Sequence, residues 1–144
     1  MFEHASGAVK ATIARAADEV ARRGDRRIGT DHLLLGLLHD ADIAAILGVD
    51  VEQARAAARD LDQESLEAIG IDLSGVPLAS GTVGAGHAPP TSGMRATLAR
   101  AFVIAKDERA RRVEPRHVLA ALLEREQPDP AAALLSAMGV RRTP

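Results

Sequence analysis

The sequence has no cysteine, tryptophan or tyrosine, and its only aromatic residues are two phenylalanines. The absence of cysteine excludes disulfides, thiolate metal sites and a cysteine nucleophile. With so few aromatic rings, stacking on unpaired bases is excluded as a binding mode. No apolar run approaches the roughly 20 residues of a membrane span, and the N-terminus lacks the continuous apolar stretch of a secretory signal. We therefore expect a cytoplasmic protein with no membrane contact.

The charges are nearly balanced, with 18 basic and 20 acidic residues and a net charge of −2. This balance supplies no large electrostatic attraction to nucleic acid, which we do not expect as a partner. Hydrophobic residues make up 47% of the 144 positions, and many of them are alanine, the strongest helix former. The length and composition predict one compact all-α domain.

An offset of 85 residues aligns two parts of the chain without a gap. Alanine alone does not explain this match, because histidines and leucines are aligned as well. The aligned segments are 10–16 (KATIARA) with 95–101 (RATLARA), 26–28 (RRI) with 111–113 (RRV), 32–34 (HLL) with 117–119 (HVL), and 37–38 (LL) with 122–123 (LL). Further on, residues 47–49 match residues 138–140 at an offset of 91. We interpret the pattern as a tandem duplication with a shortened first copy.

Each copy carries helix-start and helix-stop signals. Ser6 and Thr91 are predicted N-caps of the first helix in each copy, and Thr30 is predicted to cap the second helix of the first copy. Gly24 is a predicted helix stop, and Pro115 suits a first helical turn. Residues 50–69 predict one or two further helices with the inner face Ala54, Ala57, Ala58, Leu61, Leu66 and Ile69.

These signals predict two copies joined by a linker. Residues 1–73 form the first repeat, residues 74–92 a linker rich in glycine and proline, and residues 93–144 the second repeat. Each copy has an apolar stripe that it cannot bury by itself, so we expect the two copies to pack these stripes against each other about a pseudo-two-fold axis.

No motif predicts catalysis, a metal or a cofactor. Lys10 and Lys106 are the only lysines, and neither lies in a phosphate-binding loop. No histidine pair has HExxH spacing, and no serine lies in a GxSxG context. His32 and His117 are aligned by the offset, and we expect each ring to bond the backbone at the start of a second helix. The arginine pairs at 22–23, 26–27, 111–112 and 141–142 are read as solvated helix ends, or alternatively as a surface for anions or acidic partners.

Residues 28–38 (IGTDHLLLGLL), with Phe2 and the Ser6 cap, resemble the GTEHLLLGL repeat of the Clp N-terminal domain family. This domain precedes the ATPase modules of AAA+ unfoldases, and the similarity is greatest to the ClpC type. Residues 113–123 (VEPRHVLAALL) resemble a diverged copy of the same motif. Residues 66–73 (LEAIGIDL) are similar to a segment of stand-alone actinobacterial members. The resemblance implies a compact domain of two pseudo-symmetric four-helix repeats.

The resemblance also implies binding of substrate and adaptor proteins, including proteins marked by phosphoarginine. Carried over by position, the first phosphoarginine pocket consists of Ser6, Lys10 and Asp31. The second consists of Thr91, Arg95 and Arg116. Asp31 is one methylene shorter than the glutamate of the family motif, and Arg116 repels a guanidinium. We therefore expect one phosphoarginine site at most, and the alternative for Asp31 is that it only favours a helix N-terminus.

The resulting hypothesis is a non-catalytic binding module without cofactor or metal. It acts as an adaptor, decoy or regulator in protein degradation and stress response. Its expected partners are a ClpC-type AAA+ unfoldase or the substrates and adaptors of that unfoldase, with phosphoarginine or cyclic peptides as small ligands. The alternative hypothesis is a helical DNA-binding or transcription-regulating protein, based on the helix–turn–helix-like pairs and the arginine clusters.

Overall fold

A computed structural model describes residues 4–70 and 88–140 of the chain. Within these two ranges the structure has seven helices and no strand, which confirms the all-α prediction. The helices are α1 (Gly7–Arg23), α2 (Thr30–Leu37), α3 (Ala41–Leu47), α4 (Val51–Ala68), α5 (Ser92–Asp107), α6 (Pro115–Leu123) and α7 (Pro130–Ala137). None of these helices is long and apolar enough to cross a membrane.

Several sequence predictions fall on residues outside the described ranges. These are Phe2, most of the predicted linker, the end of the segment 66–73, the arginine pair at 141–142 and any fourth helix of the second repeat. Residue 92, assigned to the linker, is the first residue of α5. Residues 50–69 form one helix with its cap residues rather than two helices.

The predicted caps of the first helices are confirmed. The Ser6 hydroxyl accepts the Val9 N–H at 3.1 Å, and the Thr91 hydroxyl accepts the Met94 N–H at 3.1 Å. Each bond satisfies one of the backbone donors that a helix start leaves without a partner. Gly24 ends α1 in the left-handed conformation, with φ of 73°.

Thr30 does not cap α2, contrary to the prediction. The N-cap is Gly29, and Thr30 is the first residue of the helix. The Thr30 hydroxyl donates to the Asp129 carboxylate at 2.9 Å and accepts the Ala131 N–H at 3.1 Å. Thr30 thus joins the start of α2 to the start of α7, about 100 positions further along the chain. Local spacing could not reveal this contact.

Four backbone hydrogen bonds between the halves follow the same offset of 85 residues. They run from Ser6 N–H to the Val113 carbonyl (2.9 Å), from Thr91 N–H to the Ile28 carbonyl (2.9 Å), from Val113 N–H to the His4 carbonyl (2.8 Å), and from Ile28 N–H to the Pro89 carbonyl (2.9 Å). In each half, the loop before the second helix therefore binds the segment before the first helix of the other half. This exchange brings the N-terminus of α1 to α6 and the N-terminus of α5 to α2.

The core is centred on α2 and α6, which contact each other and the first helices of both halves. The leucines at positions 33, 34, 35 and 37 are fully buried, as are Val118 and Leu122. Ala54 and Ala58 of α4 are buried as predicted. Ile69 is 71% exposed, so its assignment to the inner face is wrong. It is the C-cap residue of α4, where the helical periodicity that underlies the prediction has ended.

One buried acid was not foreseen from the sequence. Glu19 of α1 is 1% exposed and accepts hydrogen bonds from the Arg55 guanidinium of α4, at 3.0 Å from Nε. A buried carboxylate requires such a partner because the loss of hydration is costly. The Glu19–Arg55 pair therefore fastens α4 to α1.

Candidate functional site

The predicted site residue Asp31 lies in the first turn of α2, beside the end of α1. Its carboxylate accepts a hydrogen bond from the Arg23 guanidinium at 2.8 Å. The same guanidinium donates to Asp62 of α4 at 2.9 Å and lies 3.3 Å from the Asp25 carboxylate. We call these four residues the Arg23 cluster. The Arg23 and Asp31 side chains are 17% and 16% exposed, so Arg23 is not the solvated helix end that the sequence suggested.

One guanidinium thus faces three carboxylates. Burial lowers the pKa of Arg23, but the nearby carboxylates, Asp31 foremost, outweigh this effect and raise the pKa above its ordinary value. A hydrogen bond from His32 lowers the pKa of Asp25, against the opposing effect of burial and with the help of the Arg23 charge. The cluster therefore contains three acidic side chains and one basic side chain, which gives it an excess of negative charge.

His32 holds the backbone of the α2 N-terminus. Its Nδ1 accepts the Gly29 N–H at 2.9 Å, so in the neutral ring Nε2 carries the hydrogen, which points at the Asp25 carboxylate 2.6 Å away. His117 Nδ1 likewise accepts the Glu114 N–H at 2.9 Å. The expectation that both rings bond the backbone at a helix start is confirmed.

The Arg23 cluster forms one end of a small pocket between α2, α4 and α7. The pocket has a volume of about 190 Å³, which is enough for one side chain of a partner but not for a larger ligand. Its other walls are mostly apolar and consist of Ala58, Leu61, Ser65, Pro130, Ala133 and Leu134. The second carboxylate oxygen of Asp31 lies 3.3 Å from His32 Nδ1. Because that nitrogen is itself an acceptor, this Asp31 oxygen remains available to a donor.

The structure groups the predicted site residues differently from the sequence analysis. Thr91 N–H binds the Ile28 carbonyl, and the Thr91 methyl group lies beside Gly29. The first turn of α2, with Asp31, therefore meets the start of α5 with Thr91. Ser6 instead binds Val113, in the loop that leads to Arg116. Grouping Ser6 and Lys10 with Asp31 is corrected, because the halves exchange their N-terminal segments.

Lys10 and Arg95 each lie one turn into the first helix of their half, and both are exposed. The Ser6 and Thr91 oxygens accept their capping hydrogen bonds, which leaves each hydroxyl hydrogen free to donate. A hydroxyl donor with a cation one turn away is a combination suited to a phosphate group.

Arg116 makes an ion pair with Glu108, the C-cap residue of α5. The hydrogen bond from Arg116 lowers the pKa of Glu108, with a further contribution from His117. The offset of 85 residues aligns Glu108 with Arg23 and Arg116 with Asp31. Both halves therefore join the end of the first helix to the start of the second by an ion pair, with the two signs exchanged. Sequence reasoning missed Arg23 and Glu108, although their opposite charges at aligned positions were a signal.

Among the residues that the structure describes, no group of three histidine or acidic side chains could hold a metal ion. In the Arg23 cluster, the guanidinium takes the position among the three carboxylates that a metal ion would need. The arrangement of the cluster thus favours recognition of a guanidinium or another cationic group over chemistry on a metal.

At the level of sequence, no protein family matches the chain, and no curated protein matches it either. Among solved structures, the chain is similar to the crystal structure of the N-terminal domain of the caseinolytic protease associated chaperone ClpD from Arabidopsis thaliana. The TM-score is 0.75 at 20% sequence identity, and the match covers 99% of this chain and 92% of that chain. The chain therefore has the fold of a Clp N-terminal domain. This comparison offers no support for the DNA-binding alternative.

Proposed function

We propose that the chain is a non-catalytic protein-binding module that works with a Clp-type AAA+ unfoldase. It acts as an adaptor, decoy or regulator that captures proteins destined for unfolding and degradation. The observation that carries this proposal is the fold similarity to a Clp chaperone N-terminal domain over 99% of the chain. Fold alone does not define a function, so the proposal also needs a binding site with suitable chemistry.

The proposed site lies at the junction of α2 and α5. A ligand guanidinium approaches the Asp31 carboxylate at the start of α2, where an excess of carboxylates attracts it. Arg23 supports this assignment, because its own guanidinium already binds Asp31 at 2.8 Å. A phosphate on that guanidinium is held by the Thr91 hydroxyl and the Arg95 cation. Phosphoarginine, which joins the two groups, is therefore the proposed ligand.

The corresponding place in the other half is not proposed to bind phosphoarginine. It has the Ser6 hydroxyl and the Lys10 cation, but Arg116 stands where Asp31 stands in the first half. Arg116 repels a second guanidinium, and its charge is balanced by Glu108, whereas three carboxylates face the one guanidinium of Arg23 in the first half. We therefore propose one site in each chain.

The ligand proposal is tested by calorimetric titration of the purified chain with free phosphoarginine. We expect saturable binding at one site in the wild type and loss of binding in Asp31→Asn, which keeps the size of the side chain. The matched control is Arg116→Asn at the aligned position, which should bind like the wild type. No heat in the wild type, or undiminished binding in Asp31→Asn, would contradict the phosphoarginine site.

The wider proposal is tested with a purified ClpC-type unfoldase and its peptidase. We expect added chain to change the degradation rate of a fluorescent protein substrate and to co-elute with either the unfoldase or the substrate. An unchanged rate together with no co-elution would contradict the role in a Clp system. Because this assay does not involve phosphoarginine, it fails or succeeds independently of the titration.

A further inference from the structure

We propose that a cationic groove at the C-terminal end of α5 binds an acidic, partly apolar segment of a partner protein. The groove has a volume of about 520 Å³ and lies between the last turns of α5, the loop before α6 and His4. None of the site residues proposed above lines it. The proposal therefore does not depend on phosphoarginine binding.

Four cations converge on this groove: Lys106, Arg109, Arg111 and Arg112. All four are exposed, and none forms an ion pair with a carboxylate among the described residues. Glu108 is close in sequence, but it is paired with Arg116 and lies near His117. A concentration of unpaired positive charge in a chain of net charge −2 creates a local attraction for an anionic partner.

The groove floor is apolar. Ala105, Ala110 and Val113 form part of its lining, and the Phe102 ring meets His4 edge to face, with ring centres 5.6 Å apart. An apolar floor beneath a cationic rim suits a segment with one or two apolar side chains flanked by carboxylates. A nucleic acid strand suits it less, because Phe102 is the one phenylalanine among the described residues that line the groove, and successive bases need several aromatic rings to stack on.

The backbone of Arg109 gives a second, independent indication. Arg109 has φ of 63°, a left-handed conformation that is unfavourable for a residue with a side chain. The aligned residue of the first half is Gly24, with φ of 73°. Both residues precede the same hydrogen bond, from Asp25 N–H to the Val20 carbonyl and from Ala110 N–H to the Ala105 carbonyl. At this position of the groove, glycine would adopt the left-handed backbone conformation without strain, but the second half has an arginine. Backbone strain of this kind points to a functional role for the Arg109 side chain.

The first half provides a matched control for the test. Arg26 and Arg27 are exposed and align with Arg111 and Arg112, but Ala21 and Gly24 stand in place of Lys106 and Arg109. The probe is a fluorescein-labelled hexapeptide of four glutamates and two leucines, followed by fluorescence anisotropy. A peptide with lysine in place of glutamate and a short DNA duplex serve as competing probes.

We expect Arg111→Gln/Arg112→Gln to weaken binding of the acidic peptide about tenfold, and Arg26→Gln/Arg27→Gln to change it by less than about twofold. Arg109→Gly should weaken binding about threefold while raising the thermal unfolding midpoint, a combination that a purely structural arginine would not produce. Absence of binding in the wild type, equal losses in both double variants, or tighter binding of the lysine peptide or the DNA would overturn the proposal.

Discussion

The two halves of the molecule use one ion-pair position with opposite signs. In the first half, Arg23 at the end of α1 pairs with Asp31 at the start of α2. In the second, Glu108 after α5 pairs with Arg116 at the start of α6. Both halves thus place two opposite charges at this position, in opposite order. The first half has the order that favours its helix ends, because a cation is stabilised at a helix C-terminus and an anion at an N-terminus. The second half has the reverse order.

The order of charges also changes what surrounds the pair. Arg23 is half-buried under α4 and is shared with Asp25 and Asp62, whereas the Arg116 and Glu108 side chains are 57% and 43% exposed. Exposed pairs contribute little to stability. The first half has thus kept a negative, partly enclosed site, and the second half presents cations to solvent. The phosphoarginine proposal rests on the negative site of the first half, whereas the acidic-segment proposal rests on other cations of the second half, at the end of α5 and in the loop before α6.

The largest expected change in the free energy of unfolding comes from a substitution between the first two helices of the first half. A Cβ at Gly36 would lie 2.5 Å from the Thr12 carbonyl oxygen and 3.1 Å from the Ala16 nitrogen. Both atoms belong to the α1 backbone, so Gly36→Ala should force α1 and α2 apart. We expect it to lower the free energy of unfolding in urea by about 2–3 kcal/mol.

The aligned residue of the second half is Ala121, which is buried. There, α5 and α6 already accommodate a methyl group. Ala121→Gly should lower the free energy of unfolding by only about 1 kcal/mol, through helix propensity and a small cavity. If Gly36→Ala did not lower the free energy of unfolding, α1 and α2 would have room for a methyl group as α5 and α6 do, contrary to the structure.

Removing the cation of the Arg23 cluster should have the next largest effect. Arg23→Ala leaves Asp25, Asp31 and Asp62 close together without a counter-charge, and we expect the free energy of unfolding to fall by about 2 kcal/mol. Glu108→Ala, the aligned control, should change it by less than about 0.5 kcal/mol because that pair is exposed. A larger loss in Glu108→Ala would reverse the contrast drawn between the halves.

A smaller stabilising effect is expected from copying the first-half arrangement into the second half. Glu108→Arg and Arg116→Asp place each charge of the pair at its favourable helix end, and Ala110→Asp supplies the counterpart of Asp25; together they should raise the free energy of unfolding by about 1 kcal/mol. If the phosphoarginine proposal holds, the triple variant should also titrate with two equivalents of phosphoarginine. Destabilisation would show that the second half requires its reversed order.

The smallest expected effect is on the acid sensitivity of the first half. The pKa of Asp25 is lowered in the folded state, chiefly by the His32 hydrogen bond. Its stabilising contribution is therefore present above its unfolded pKa, near 3.8, and is lost as the pH falls through the lower folded value. Asp25→Asn should flatten the decline of stability in this acidic range. Asp18→Asn, an exposed control on α1, should decline like the wild type in the same series of urea titrations.

Features set by neighbouring residues were predictable from the sequence. The caps Ser6 and Thr91, the stop at Gly24 and the buried stripes depend on spacings of a few residues, which reflect the helical hydrogen-bond pattern and its period. The Thr30 hydroxyl and the Glu19–Arg55 pair were not predictable in this way. Their partners lie far away in sequence, and nothing local distinguishes them from ordinary surface residues.

The same distinction between local and distant contacts applies to the candidate site. By itself, the sequence determined that the chain is helical, that its two parts align at a constant offset, and that Asp31 and Arg116 occupy aligned positions with opposite charges. Only the tertiary structure decided that the start of α2, with Asp31, lies beside the start of α5, with Thr91, and that Arg23 pairs with the Asp31 carboxylate. The reason is physical: helix formation depends on contacts between near neighbours, whereas these meetings depend on backbone hydrogen bonds that exchange the N-terminal segments of the two halves.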